Sequence, residues 1–468
     1  MKITFLGHQG WHFQGSNGET ILLDPLYRDM GNGLTRINVW PNRELKLGQL
    51  GKVDAVIISH EHADHFNIDT LLKIKQINDP DHVFVPNLST RALKNALREM
   101  EFDVQELAAF EIFDLGSLSI TPLPSVKSRF EPDVYSLLFE DKVSKSSFYT
   151  PIDTVPSNMA IEYLKEHCPK RTLDNYTNNF VQRIHVLHNL DAVEYEKGVN
   201  NVYEYLKRFI KNFDPDRIIL SGQGWSYTGQ LQDHNNIMFN VPHESLVKRL
   251  QQETKSIDVF AAEINTSYEL SEETIKVSHA DFVHFLPEDS REVDLTKLNG
   301  YELRPYCEKQ DSAIANQQVN NYVENNLGSL LALGASKLNK ALYYKLMETD
   351  DEHKGLFLEL RNAKEKFQFE FSYSDSCFYR LNMKIDYDTA KKEYAFGMIG
   401  YVNDFLEILN AAEEGHLVSE NSMYTWNHRY DLLDEPVDVD FMNCMRPQYR
   451  PVDFEKFYLE QIKKKRSK

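Results

Sequence analysis

One stretch, Val56-Ile57-Ile58-Ser59-His60-Glu61-His62-Ala63-Asp64-His65-Phe66-Asn67, constrains this chain more than any other. An apolar run of strand length leads directly into three histidines and an aspartate within six residues, and a helix-like pattern follows. A solvated loop readily carries one histidine pair, but four donor groups crowded behind a buried strand point to a metal centre. Neutral imidazoles and a carboxylate are the nitrogen and oxygen donors that suit zinc, iron or manganese. Alternation along a tight loop turns His60 and His62 towards one ion and Asp64 and His65 towards a second.

The signature His-x-His-x-Asp-His, complete at His60, His62, Asp64 and His65, resembles that of the metallo-β-lactamase superfamily. Two other stretches carry the likeness. Phe5-Leu6-Gly7-His8-Gln9-Gly10 and Ile21-Leu22-Leu23-Asp24-Pro25 look like the opening hairpin of members that act on sugars and other small molecules. Phe148-Tyr149-Thr150-Pro151-Ile152-Asp153-Thr154 looks like the strand that delivers the bridging aspartate, which makes Asp153 the candidate. The resemblance extends over roughly residues 1–260. It implies an α/β fold, a four-layer αβ/βα sandwich with the metal site at one edge of two facing sheets. It also implies one or two divalent metal ions, zinc or iron with manganese as a further fit. The implied activity is metal-dependent hydrolysis of a small polar metabolite through a metal-activated water, which Asp64 orients or deprotonates.

The departures matter as much. The superfamily usually presents a further histidine on the loop before the Asp153 strand, where this chain reads Leu123-Pro124-Ser125-Val126-Lys127-Ser128-Arg129. Its last histidine should follow a strand near Ile218-Ile219-Leu220, where this chain has Ser221-Gly222-Gln223-Gly224-Trp225. Gln223 is one weak substitute. His185 and His188 are others, as are His8, His234 and His243, each of which also reads as a hydrogen-bonded structural histidine. The expected metal set is therefore His60, His62, Asp64, His65, Asp153 and His188, with Asp64 as the catalytic residue.

The missing histidine, the Asp24-Pro25 turn and the pattern Trp426…Arg429…Glu435-Pro436…Phe441…Arg446-Pro447 look like the branch containing CMP-N-acetylneuraminate monooxygenase. The Rieske domain of that enzyme needs Cys-x-His and Cys-x-x-His pairs. None of Cys168, Cys307, Cys377 or Cys444 has a histidine two or three residues downstream, so that module is absent. The resemblance thus implies an alternative, a non-haem iron (di-iron) oxygenase of the same fold that would need a separate reductase. A non-catalytic module with a degenerate site is the third reading, and the intact signature speaks against it, because unused buried polar groups cost stability.

At 468 residues with 41% apolar side chains the chain can build two or three domains of ~100–200 residues, and a disordered tail protein is ruled out. The net charge of −19 argues against nucleic acid or an anionic membrane as a partner, since such binding needs a basic surface. Lys463-Lys464-Lys465-Arg466 is the one basic run, and it reads as a frayed, solvated terminus. Four scattered cysteines, an opening strand without a leader pattern and no apolar run of ~20 residues suggest a cytoplasmic protein whose partner is a small-molecule substrate. Its oligomeric state is open.

Alternating strand and helix patterns continue through Val202–Phe213, where Val202, Tyr205, Leu206 and Phe209 suggest a helix face, and Arg217–Ser221. After about residue 310 the character changes. Val319–Met347 reads as one or two helices, and the Phe367, Phe369, Phe371 ladder has the period of two of a half-buried antiparallel strand. Residues 1–310 are therefore expected to form the metal-binding catalytic domain. Residues 311–468 are expected to form a smaller α+β accessory domain that contributes shape and not chemistry.

Overall fold

The computed structural model describes residues 1–27, 37–126, 134–168, 172–176, 192–222, 224–227, 235, 243–254, 256–286, 313–329, 354–372, 374–415, 418, 423–427 and 445–467. Two large sheets face each other. The first has eight strands in the spatial order Ile275–His279, Thr266–Leu270, Lys2–Gly7, Gly10–Gln14, Thr20–Leu23, Ala55–Ile57, His82–Pro86 and Val104–Leu107. The second has seven, in the order Asp258–Ala261, Arg217–Ser221, Thr172–Tyr176, Ser146–Thr150, Tyr135–Asp141, Leu118–Pro124 and Phe113–Leu115. Each joins an antiparallel part to a parallel part, and the parallel strands end at the candidate site.

Alternation of side chains along a strand explains how the second sheet serves two cores. Phe139, Phe148 and Ile219 face the first sheet, where Phe13 stacks on Phe139 with ring centres 3.9 Å apart and Trp11 meets Phe148 edge-on at 5.0 Å. Their neighbours Leu138, Tyr149, Ile218 and Leu220 point the other way, into a separate core.

Helices α1 (Ile68–Asn78) and α2 (Arg91–Glu99) cover the first sheet. Their N-caps are Asn67 and Thr90, whose side chains accept from the amides of Thr70 and Leu93. On the outer face of the second sheet lie α3 (Asn158–His167), α4 (Ala192–Phe213) and α5 (His243–Glu253), which completes the αβ/βα sandwich. The buried face of α4 is Tyr203, Leu206, Ile210 and Phe213, with Phe209 beside it, whereas Tyr205 is 38% exposed. The buried face is thus turned by about a fifth of a turn from the expected stripe, sharing Leu206 and Phe209 with it, because the i, i+3, i+7, i+10 series begins at Tyr203.

The remaining described residues form a five-stranded sheet, in the order Cys377–Arg380, Lys366–Ser372, Lys354–Arg361, Tyr394–Tyr401 and Tyr424–Asn427, with helices α6 (Ala313–Tyr322), α7 (Tyr387–Glu393) and α8 (Val402–Leu409). Phe367, Phe369 and Phe371 are buried there against α6 and α8, as their alternation predicts. Only part of the stretch Val319–Met347 is described, and it is helical through Ser329.

The basic terminus differs from expectation. Lys463–Arg466 is the last turn of a sixteen-residue helix, α9 (Pro451–Arg466), not a frayed tail. Phe454, Phe457, Tyr458 and Ile462 recur at helical spacing and bury against the core of the first sheet, each contributing ~1.5–3 kcal/mol if fully removed from water. Lys465 pairs with Asp69 of α1, and Arg466 reaches Glu101 at 3.0 Å. No helix among the described residues is long and apolar enough to cross a membrane.

Candidate metal centre

The strand Ala55–Ile57 ends one residue short of Ser59, and the signature then turns tightly before α1: the amides of His65 and Phe66 both donate to the His62 carbonyl, at 2.9 and 2.7 Å. His60, His62 and His65 are buried and Asp64 is partly exposed. His60 Nε2 lies 2.9 Å from His62 Nδ1. His65 Nε2 lies 2.9 Å from Asp153 Oδ2 and 3.6 Å from Asp64 Oδ2, and His60 Nε2 is 3.8 Å from the same Asp153 oxygen. Asp153 arrives from the second sheet on a turn whose Ile152 has φ 54° and whose Thr154 hydroxyl donates to the Pro151 carbonyl at 2.9 Å. The sequence-expected His60, His62, Asp64, His65 and Asp153 therefore converge.

His188, the sixth expected donor, lies outside the described residues, as do His185, Gln223, His234, Arg429, Glu435, Pro436 and Phe441. His243 is buried at the start of α5, where burial pushes its imidazole down to about 4, and it belongs to no three-donor cluster among the described residues. His8 does converge: its Nε2 is 3.0 Å from Asp64 Oδ2.

Two residues not singled out as site residues aim the imidazoles. Asp24, at the end of the strand Thr20–Leu23, takes the Ser59 amide on Oδ1 at 2.8 Å and the Ser59 hydroxyl on Oδ2 at 2.6 Å. His65 Nδ1 stands 2.8 Å from that same Oδ2, and His60 Nδ1 stands 2.9 Å from the Ser59 oxygen. Since a carboxylate only accepts, His65 carries a proton on Nδ1. Ser59, having given its proton to Asp24, accepts one from His60 Nδ1. Both rings thereby turn Nε2 into the cluster, the arrangement by which outer partners orient metal-binding histidines. The available signal for Asp24 was an aspartate closing a buried strand before proline.

Electrostatics separates the donors. Burial, together with His65 and His62, holds His60 well below the usual imidazole range. Burial acts in the same sense on His65, but Asp64, Asp153 and Asp24 overcome it and raise its pKa well above the usual value. Burial alone would lift Asp64, yet His65, His8 and His62 keep it well below the ordinary carboxylate range, and Asp153 is lowered chiefly by His65 against its own burial. Three carboxylates gathered round one imidazole make a locus that favours positive charge. Asp153 Oδ1 is buried and has no hydrogen-bond partner, as suits an oxygen that faces a cation. The donor set fits a divalent metal ion.

The C-terminal part touches this loop through polar side chains. Arg446 is buried with Nη1 3.3 Å from His62 Nε2, and Glu414 Oε1 accepts the Ala63 amide at 3.1 Å. Glu61 is turned away from the cluster towards the Thr90 hydroxyl and Tyr458 of α9. The polar residues that reach the signature lie on the chain flanking the five-stranded sheet and not on its strands, which is why strand patterning missed them.

A two-sheet α/β sandwich carrying this cluster at its edge defines a metallo-β-lactamase fold. Residues 2–131 match the family described as a beta-lactamase superfamily domain. A UPF0173 metal-dependent hydrolase from Rubrobacter xylanophilus is 34% identical over 65 residues, which are 14% of this chain and 23% of that protein. Among solved structures, CmlA, a diiron β-hydroxylase from Streptomyces venezuelae, is 16% identical with a TM-score of 0.39, covering 60% of this chain and 54% of CmlA. The metallo-beta-lactamase fold protein YhfI from Bacillus subtilis is 15% identical with a TM-score of 0.34, covering 57% and 99%. The chain thus spans less than two thirds of both the curated relative and CmlA.

Proposed function

We propose that this protein is a metal-dependent hydrolase of a small polar metabolite, with His60, His62, Asp64, His65 and Asp153 holding one or two divalent ions. The observation that carries this reading is the convergence of Nε2 of His60 and His65 on Asp153, with both rings aimed by Asp24 and Ser59. A bound zinc, iron or manganese ion would supply Lewis acidity, polarising a carbonyl or phosphoryl and bringing the pKa of water towards ~7. The chain's own groups do the rest. Asp64, held ionised by its imidazole neighbours, orients a nucleophilic water by accepting its hydrogen bond; a carboxylate of so low a pKa is better suited to that than to removing a proton. Arg446, beside His62, offers a cation to an anionic group on the substrate. The turn carrying Glu414 is tied to the signature loop through the Ala63 amide, and helix α9 lies beside it.

Elemental analysis of the full-length protein, with turnover of p-nitrophenyl phosphate and ester probes, tests this proposal. Zinc or manganese in a colourless, hydrolytically active protein is the expected result, with most of the metal lost in His62→Ala. Full occupancy in that variant would overturn the ligand assignment. Iron with a visible absorption band and reductase-dependent oxygen uptake would replace hydrolysis by the oxygenase reading, because mixed imidazole and carboxylate donors serve both.

A further inference from the structure

We infer that His8 is itself a metal ligand, supplying a nitrogen to the Asp64/His65 half of the site in place of the superfamily's last histidine. The inference rests on the metal-site reading above and adds a donor from a different part of the chain. A His8 nitrogen, an Asp64 oxygen and a His65 nitrogen all lie within 4.8 Å of one another, so one ion can reach all three. The ring is 1% exposed, its centre is 5.6 Å from that of His65, and Trp225 flanks it at 6.3 Å.

Backbone placement explains how a residue of the first hairpin comes to lie there. The last histidine of the superfamily is expected just after the strand Arg217–Ser221, and this chain has Gly222 at that point. The Gly222 amide donates to the His8 carbonyl at 3.2 Å, which pins the hairpin tip to the end of that strand. A left-handed φ of 55° at His8, between Gly7 at φ 98° and Gly10, turns the tip inward. A Cβ on Gly10 would stand 3.1 Å from the Asp24 carbonyl, so the absence of a side chain lets the hairpin approach the centre closely. A non-glycine residue held in this conformation costs of order 1 kcal/mol or more and tends to occur where geometry serves a site. Asp64, His65 and His8 then form a one-carboxylate, two-imidazole set that Asp153 can complete, a donor mixture suited to zinc or ferrous iron.

The rival role is positioning, in which His8 merely holds Asp64 through the 3.0 Å contact. Two full-length variants separate the roles. His8→Asn tolerates the left-handed backbone but is too short to reach the ion. His8→Gln retains a donor of similar reach for Asp64 while replacing the imidazole. The readouts are stepwise Co²⁺ titration by calorimetry and the visible ligand-field spectrum of the cobalt-loaded protein. Both variants are expected to lose at least about 10–100-fold in affinity for one of the two Co²⁺ equivalents, with a changed spectrum and the other equivalent unaffected. Wild-type affinity and spectrum in His8→Gln would overturn the inference and leave His8 as a positioning residue. The parent reading fails in a different way, through a wild-type protein that binds no Co²⁺.

Discussion

The two halves of the candidate centre share one loop yet are built with opposite electrostatics. Around His65 stand Asp24, Asp64 and Asp153, with His8 behind Asp64, and the net field there attracts a cation. Around His60 and His62, among the described residues, stand the neutral Ser59 hydroxyl and the Arg446 guanidinium, with Asp153 at 3.8 Å from His60 and a weaker pull from Asp64. Two carboxylates offset most of the charge of a divalent ion, whereas neutral imidazoles offset none. The difference teaches that a repeated donor motif need not give two equal positions. The half rich in carboxylates should bind its ion first, and the other half is better placed to bind an ion shared with, or displaced by, an anionic substrate.

Removing the group common to both halves gives the largest expected effect. Asp153→Ala should empty at least one position, lower affinity there by about 100-fold or more and abolish turnover. Two equal, independent sites in the wild type, untouched by this change in a calorimetric titration, would break the comparison. A smaller effect is expected from Arg446→Met. Loss of a charge-assisted hydrogen bond should raise KM for an anionic substrate by about tenfold while metal content stays at the wild-type level. A fall in metal content with unchanged KM would show instead that the arginine supports the His62 loop.

The smallest effect concerns a buried carboxylate with no cationic partner among the described residues. Asp174, in the strand Thr172–Tyr176, takes the Thr150 hydroxyl at 2.8 Å, and burial pushes its carboxyl up to about 7 against that hydrogen bond. Asp64 and Asp153, about one fifth exposed, are held low because imidazoles face them. Between the ordinary value of 3.8 and about 7 the folded protein retains a proton on Asp174 that the unfolded chain releases, so this group's contribution to stability falls as pH rises across that window. Thermal melts from pH 4 to 8 should show that decline in the wild type and a flatter profile in Asp174→Asn. An identical slope in the variant would mean that Asp174 is ionised in the fold like its neighbours.

Much of this was legible in the residue order because it is local. An apolar strand followed by His60, His62, Asp64 and His65 carries both its secondary structure and its donor chemistry within a dozen residues, and the period of two at Phe367, Phe369 and Phe371 states which face is buried. Asp153 was reachable only through resemblance, since nothing in its spacing from the signature requires contact. Everything else at the centre was decided by tertiary structure. His8, Asp24 and Arg446 meet the signature across separations of 56, 41 and 384 residues, through sheet pairing and the docking of chain beyond the five-stranded sheet. Helix α9 was legible as an amphipathic pattern, but its partner was not. A periodic apolar face states that a helix will bury one side, whereas the surface it buries against follows only from how the whole chain closes its cores.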